Sequence, residues 1–333
     1  VTQRPISLSG TRLYDATTNA VASDLSTHAN LVGSETLNLS GTGTIASKDV
    51  GSNKTVSVGT LALGNGSNGG LAANYTLSGG THQLTVNQRP LNATLARQYD
   101  GTTASAGSTL SSFDALQGGE TLTMTGSGTA ASANVANGIA MSSNGNLALA
   151  DGTGAASNYS LNSTVINIAK RVLNSSGSKT YDANTNALAG AITLSNLVSG
   201  EALSHSGTAT IGSANAGSYT ITNLAGITIA DGSGGAASNY TLTGGTHNFT
   251  VNRRVVGVSG TRLYDATTNA VASDLSTHAN LVGSETLTLS GTGTIASKDV
   301  GSNKTVSVGT LALGNGSNGG LAGNYTLSEV RTN

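Results

Sequence analysis

The side chains able to do chemistry are few, and they recur at fixed intervals. The chain has 16 acidic residues, five histidines and no cysteine. Four of its five glutamates, Glu35, Glu120, Glu201 and Glu285, come about once per 83 residues, whereas glycoside hydrolysis needs two carboxylates flanking one bond. Asp15, Asp100, Asp182 and Asp265 each follow a tyrosine (Tyr14, Tyr99, Tyr181, Tyr264) and open a Thr-containing turn. An aspartate there either accepts backbone N–H bonds from its own turn or ligates calcium. Calcium needs six to eight oxygens, drawn from several acids, and the next carboxylate after Asp15 is Asp24, so the turn reading is preferred. His28, His82, His205, His247 and His278 show neither i, i+4 pairing nor an HExxH pattern. No Gly-x-Ser-x-Gly falls at a strand-to-helix turn, and Gly64–Gly70 lacks the Lys-Ser/Thr ending of a phosphate loop. Basic residues are single and dispersed, which removes the electrostatic footprint of a nucleic-acid binder. These residues predict no enzyme, no catalytic or metal site, no cofactor and no nucleic-acid partner.

The recurrence itself is the stronger signal. Arg12-Leu-Tyr14-Asp15, Arg97-Gln-Tyr99-Asp100, Lys179-Thr-Tyr181-Asp182 and Arg262-Leu-Tyr264-Asp265 place their tyrosines 85, 82 and 83 residues apart, the signature of a tandem array. The glutamates follow the tyrosines by 20 or 21 residues, and Arg4, Arg89, Arg171 and Arg254 precede them by ten. Asn-Tyr pairs close each unit at Asn74-Tyr75, Asn158-Tyr159, Asn239-Tyr240 and Asn324-Tyr325. Residues 9–78 match 259–328 at every position except Asn38/Thr288 and Ala73/Gly323. The expected modules are 1–88, which begins with the tail of a preceding repeat, then 89–170, 171–253 and 254–333. The last of these lacks the usual closing strand sequence.

Within a module, residues 36–40, 44–47, 54–58, 75–77 and 82–86 alternate apolar with small polar residues between Gly/Asn/Ser clusters, which predicts strands with one buried and one wet face. A sheet of that kind needs a second layer, so the expected fold is all-β: a tandem array of small Ig-like β-sandwiches of about 83 residues, each with its own core. A β-solenoid is the alternative, but it requires self-similarity every 20 or so residues, which is lacking. Residues 22–29 could form one short helix. The junction Asn87-Gln-Arg89-Pro90-Leu91 contains no Gly or Ser stretch, and Pro90 fixes its own φ, so the joints are expected to be short and stiff. Four such modules would reach on the order of 100 Å or more.

Charged residues make up 9% of the chain and aromatics 3%, with 46 glycines, a net charge of −1 and a mean hydropathy of −0.03. Neither the high charge nor the low hydrophobicity of a disordered chain is present. No apolar run approaches a membrane span, and Val1-Thr-Gln-Arg-Pro-Ile lacks a signal peptide's apolar block, so the chain reads as a piece of something longer that is not inserted in a membrane. The absence of cysteine and a Gly/Ser/Thr/Asn-rich surface suit the exterior of a bacterium. Asn-x-Ser/Thr triplets, as at Asn38, Asn53 and Asn92, would permit glycosylation.

The Arg/Lys-x-Tyr-Asp-Gly/Ala-x-Thr phrase, the Gly-Glu before a strand, the Lys48-Asp-Val-Gly51-Ser-Asn-Lys54 turn and the closing Ala-Asn-Tyr-Thr-Leu together resemble the YDG repeat of large bacterial exoproteins of the filamentous haemagglutinin type. The resemblance covers essentially the whole chain. It implies export by an outer-membrane transporter partner (two-partner secretion), an adhesin or biofilm matrix role with a cell-surface or matrix ligand, and a stalk function for these repeats. Repeats two and three depart from the Lys-Asp-Val turn, which argues against a ligand role for Lys48 or Lys54. The landmark tyrosines are expected to pack at the edge of their own module's core with the hydroxyl partnered. Carbohydrate stacking is the alternative, giving weak sites that act by avidity. Each Glu is expected at a turn or strand edge, discouraging lateral pairing. A third reading is self-association into a fibre through an unpaired edge in the fourth repeat.

Overall fold

The computed structural model describes residues 1–332, which form strands joined by turns and single 3₁₀ turns, with no α-helix among the described residues. No helix there is long and apolar enough to cross a membrane. The chain divides into two compact units, Val1–Ala169 and Lys170–Asn333, each holding two repeats.

Every repeat builds the same main sheet. In the first, the strand order is Asn19–Val21, Thr42–Ile45, Gly51–Ser57, His82–Asn87, Ser7–Leu13, Thr27–Ala29, and the corresponding strands of the other three repeats pair in the same order. The expected strands at 36–40, 44–47, 54–58, 75–77 and 82–86 appear as Leu37–Ser40, Thr42–Ile45, Gly51–Ser57, Tyr75–Thr76 and His82–Asn87. Leu37–Ser40 leaves the main sheet and pairs with Ala62–Asn65, and Ile6, Leu8, Leu25, Ile45, Val56 and Leu84 are buried in the resulting core. The fold is therefore all-β in tandem modules.

One pairing was not visible in the alternation. The last strand of each module lies parallel to the first, as in His82–Asn87 beside Ser7–Leu13. This register also explains the matched spacing of two landmarks, because Arg4, Arg89, Arg171 and Arg254 sit directly opposite Tyr75, Tyr159, Tyr240 and Tyr325. The fourth repeat keeps its closing strand despite its altered sequence. Tyr325–Thr332 pairs with Arg254–Gly260 on one side and Lys304–Ser307 on the other, so the unpaired edge proposed for fibre formation is filled.

Two further expectations are corrected. The helix expected at residues 22–29 is one 3₁₀ turn, Ala22–Asp24, followed by the strand Thr27–Ala29. Asp24 accepts the Val21 N–H and Leu25 turns into the core, while Gly10 lets the turn cross the sheet, since a Cβ there would lie 1.7 Å from the Asp24 carbonyl oxygen. The module cores are also not fully sealed from one another: the fourth repeat closes a core of its own around Val258, Leu275, Ile295, Val306 and Val330, yet apolar residues cross within each pair. Leu91, Leu122 and Tyr159 of the second repeat share one buried cluster with the first, and Leu287 and Tyr325 of the fourth share one with the third. The chain crosses within each pair through a single residue, Gln88 between His82–Asn87 and Arg89–Gln98, and Arg253 between His247–Asn252 and Arg254–Gly260.

The residue after each Tyr-Asp pair adopts a left-handed conformation: Gly101 at φ 77°, and Ala16, Ala183 and Ala266 at φ 65°, 59° and 63°. A Cβ in that region costs roughly 1–2 kcal/mol, partly offset by the greater chain entropy glycine loses on folding. Ala183→Gly is therefore expected to stabilise its unit by about 0.5 kcal/mol, read as a higher denaturant midpoint at unchanged slope. A lower midpoint would refute the strain argument.

Candidate functional site

Each repeat first organises its own glutamate. The hydroxyl of the Asn-Tyr tyrosine accepts a backbone N–H from the loop that carries the glutamate and donates to one carboxylate oxygen. In the first repeat Tyr75 accepts from Val32 (3.1 Å) and donates to Glu35 Oε2 (2.5 Å). Tyr159 does the same with Gln117 (3.1 Å) and Glu120 Oε2 (2.8 Å), Tyr240 with Val198 (3.1 Å) and Glu201 Oε2 (2.6 Å), and Tyr325 with Val282 (3.0 Å) and Glu285 Oε2 (2.6 Å).

The second carboxylate oxygen then serves the preceding repeat of the pair. Tyr14 donates to Glu120 Oε1 at 2.6 Å, and Tyr181 donates to Glu285 Oε1 at 2.6 Å. The paired rings meet edge to face, with centroids 5.2 Å apart for Tyr14–Tyr159 and 5.4 Å for Tyr181–Tyr325, a favoured aromatic geometry. Beside them, Asn158 Nδ2 donates to Asp49 Oδ1 (3.0 Å) while its Oδ1 accepts the Val50 N–H (2.9 Å). Asn324 repeats both bonds with Asn215 (3.0 Å) and Ala216 (2.8 Å). Arg89 Nε donates to the Tyr14 carbonyl at 2.7 Å, closing the back of the first junction.

The landmarks of the sequence are therefore the parts of a module-to-module joint. Tyr14 and Tyr181 are buried with their hydroxyls partnered, but the partner lies in the next repeat, whereas Tyr264 is 57% exposed. The glutamates do sit at turns, each N–H bonded to the carbonyl three residues back, but Glu120 and Glu285 serve as acceptors within the joint and not as edge charges. Lys48 also contributes, with Nζ 2.5 Å from Glu120 Oε1. The second junction has Ala214 at the equivalent place and keeps the Asn bonds, so this ion pair is an addition to the joint. Tyr99 is buried, and its N–H bonds the Ala169 carbonyl at 2.9 Å.

The aspartates of the motif remain within their own turns. Asp15 accepts from the Thr17 N–H (2.9 Å) and hydroxyl (3.0 Å) and pairs with Arg12 at 2.6 Å. Asp100 and Asp265 hold Thr102 and Thr267 in the same way, and Asp182 holds Asn184 and pairs with Lys179 at 2.8 Å. The buried histidines serve the fold: His82 and His247 bridge to the Leu77 and Leu242 carbonyls at 2.8 Å. Among the described residues no three His, Cys, Asp or Glu side chains gather as a metal site.

The electrostatics of the first joint follow from this geometry. Burial alone would raise the Glu120 carboxyl, but bonds from Lys48, Tyr14 and Tyr159 hold it below its ordinary 4.5. Burial, assisted by the neighbouring carboxylate, pushes the Tyr159 and Tyr181 phenols up to about 12. A buried carboxylate is tolerated only when its oxygens are bonded, and here the tyrosine hydroxyls supply those bonds.

The fold and joint thus define a class: tandem β-modules coupled in pairs by a shared tyrosine–glutamate–tyrosine cluster. The model of the YDG domain matches residues 2–84, 82–166, 169–247 and 250–332, and the chain belongs to that family. No curated protein gives a significant match.

Removing Glu120 strands two phenols and an ammonium, so Glu120→Ala is expected to destabilise the first unit by about 3 kcal/mol. Lys48→Ala should cost much less than Glu120→Ala, because Lys48 is partly exposed. Denaturant unfolding of the full chain, with hydrogen exchange to locate the weakened unit, checks both; equal effects would contradict the assignment. The pH profile follows from the shifts. The Glu120 contribution is present above its unfolded value of 4.5 and is lost as pH falls through its lower folded value. The tyrosine contribution is complete below pH 10.0 and is lost as pH rises toward about 12. Stability measured against pH should decline at both edges, and Tyr159→Phe should flatten the alkaline one for the first unit.

Proposed function

We propose that this chain is a structural spacer: a stalk segment of a secreted bacterial surface adhesin or biofilm matrix protein that holds a binding region away from the cell. The observation that carries the reading is the joint. Within each pair, one module is fixed to the next by hydrogen bonds from two landmark residues, a tyrosine and an asparagine, and by a one-residue crossover. Joints of this kind resist bending, because opening the hinge would break the inter-module hydrogen bonds and expose the apolar residues packed across each pair. The extracellular location, the outer-membrane transporter partner and the surface or matrix ligand rest on the resemblance to exoproteins of the filamentous haemagglutinin type. The carbohydrate-binding alternative is weakened by the aromatics, since Tyr14, Tyr75, Tyr159, Tyr181, Tyr240 and Tyr325 are all buried and offer no stacking platform.

Small-angle scattering of the full chain and of a variant with all four repeats duplicated tests the spacer. A stalk about doubles its largest dimension on duplication, whereas a compact body of twice the residues grows only about 1.3-fold. Growth near the lower factor would overturn the proposal.

A further inference from the structure

The parallel pairing of first and last strands fixes how a module meets force along its backbone. In the second repeat Arg89–Gln98 and Tyr159–Ala169 run side by side over ten paired positions, from Arg89 opposite Tyr159 to Gln98 opposite Ala169. The ladder continues one step further, because the Tyr99 N–H donates to the Ala169 carbonyl at 2.9 Å. The first and third repeats end in the same way, with Tyr14 on Asn87 and Tyr181 on Asn252, both at 2.9 Å. The arginine and tyrosine landmarks, ten residues apart, therefore mark the two ends of this ladder.

Because the two strands point the same way, the chain enters the module at one end of the ladder and leaves it at the other. Tension between those ends drags the strands past each other, so the inter-strand hydrogen bonds carry the load together. An antiparallel terminal pair would have both its loaded ends on one side and would open one pair at a time. Neither strand is an edge of its sheet, since Arg89–Gln98 also pairs with Leu110–Phe113 and Tyr159–Ala169 with Ala136–Ser143. Leu91, Leu95, Ile166 and Ile168 root both strands in the core. Within each pair of repeats a single residue, Gln88 or Arg253, joins the last strand of one module directly to the first strand of the next. Tension thus passes from ladder to ladder with no slack segment between.

We propose that every repeat is a load-bearing shear clamp, and that resisting tension along the chain is a function of this array. The inference goes beyond the spacer reading. It rests on strand direction alone and holds whatever the length of the array, so a scattering result against the spacer leaves it standing, and the reverse.

The chain has no cysteine, so introduced pairs can carry the handles of a single-molecule force measurement on the full chain. Gln88→Cys with Ala169→Cys loads the second repeat as the backbone does. Gln98→Cys with Ala169→Cys places both handles at one end of the same ladder and peels it. All three side chains are exposed, so both variants should melt as the unmodified chain does. Opening of the repeat is recognised in either case by a gain of roughly 25 nm, the reach of the residues released. At one loading rate the first pair should open at several-fold higher force than the second, because forced opening reports the barrier along the direction pulled. The same comparison on the first repeat, Thr2→Cys against Leu13→Cys, each with Asn87→Cys, covers a handle that disturbs the second. Equal forces in the two directions, or a higher force for peeling, would overturn the proposal.

Discussion

A buried carboxylate between two phenols governs how the modules of each unit connect. Charge removed from water is costly unless every oxygen is bonded, and Glu120 and Glu285 each meet this demand by drawing one hydroxyl from their own module and one from the module before. Neither tyrosine alone suffices. The internal tyrosine pins the glutamate loop in all four repeats, so the acceptor is in place before docking and the arriving tyrosine completes it.

The surrounding contacts add direction. An asparagine side chain, with a donor and an acceptor on one amide, reads a backbone N–H and a side-chain oxygen of the neighbouring module at once. This works equally with Asp49 or Asn215 opposite, since both offer an oxygen. That tolerance explains how the third repeat loses the Lys-Asp-Val turn and still keeps its joint with the fourth. The lysine reinforces charge that is already satisfied, and its replacement by Ala214 leaves the hydrogen-bond frame intact. Continuity of the apolar core across each pair adds non-directional burial to a contact whose orientation is set by polar groups.

The chain also manages strain and space with small residues. Gly10 and Gly260 admit the crossing turn at a distance no side chain would tolerate, and the left-handed position after each Tyr-Asp accepts alanine as well as glycine. The aspartate before it holds the turn by bonding the Thr or Asn two residues on. The motif is thus one device: a clamp on the turn and a projecting phenol.

Sequence by itself determined the period, the strand positions, the β class and the chemistry of the Asp15 turn, because alternation, turn composition and short-range hydrogen bonds are local properties. It also marked Tyr14, Glu120, Asn158 and Tyr159 as landmarks that keep step. Only the tertiary structure decided what they do, since Tyr14 and Glu120 are 106 residues apart and Asn158 and Asp49 are 109 apart, beyond the reach of any local pattern. The parallel pairing of first and last strands was hidden for the same reason. Alternation states which face of a strand is buried but not which strand lies beside it, and a tyrosine that must be buried looks the same whether its own module or the next one covers it.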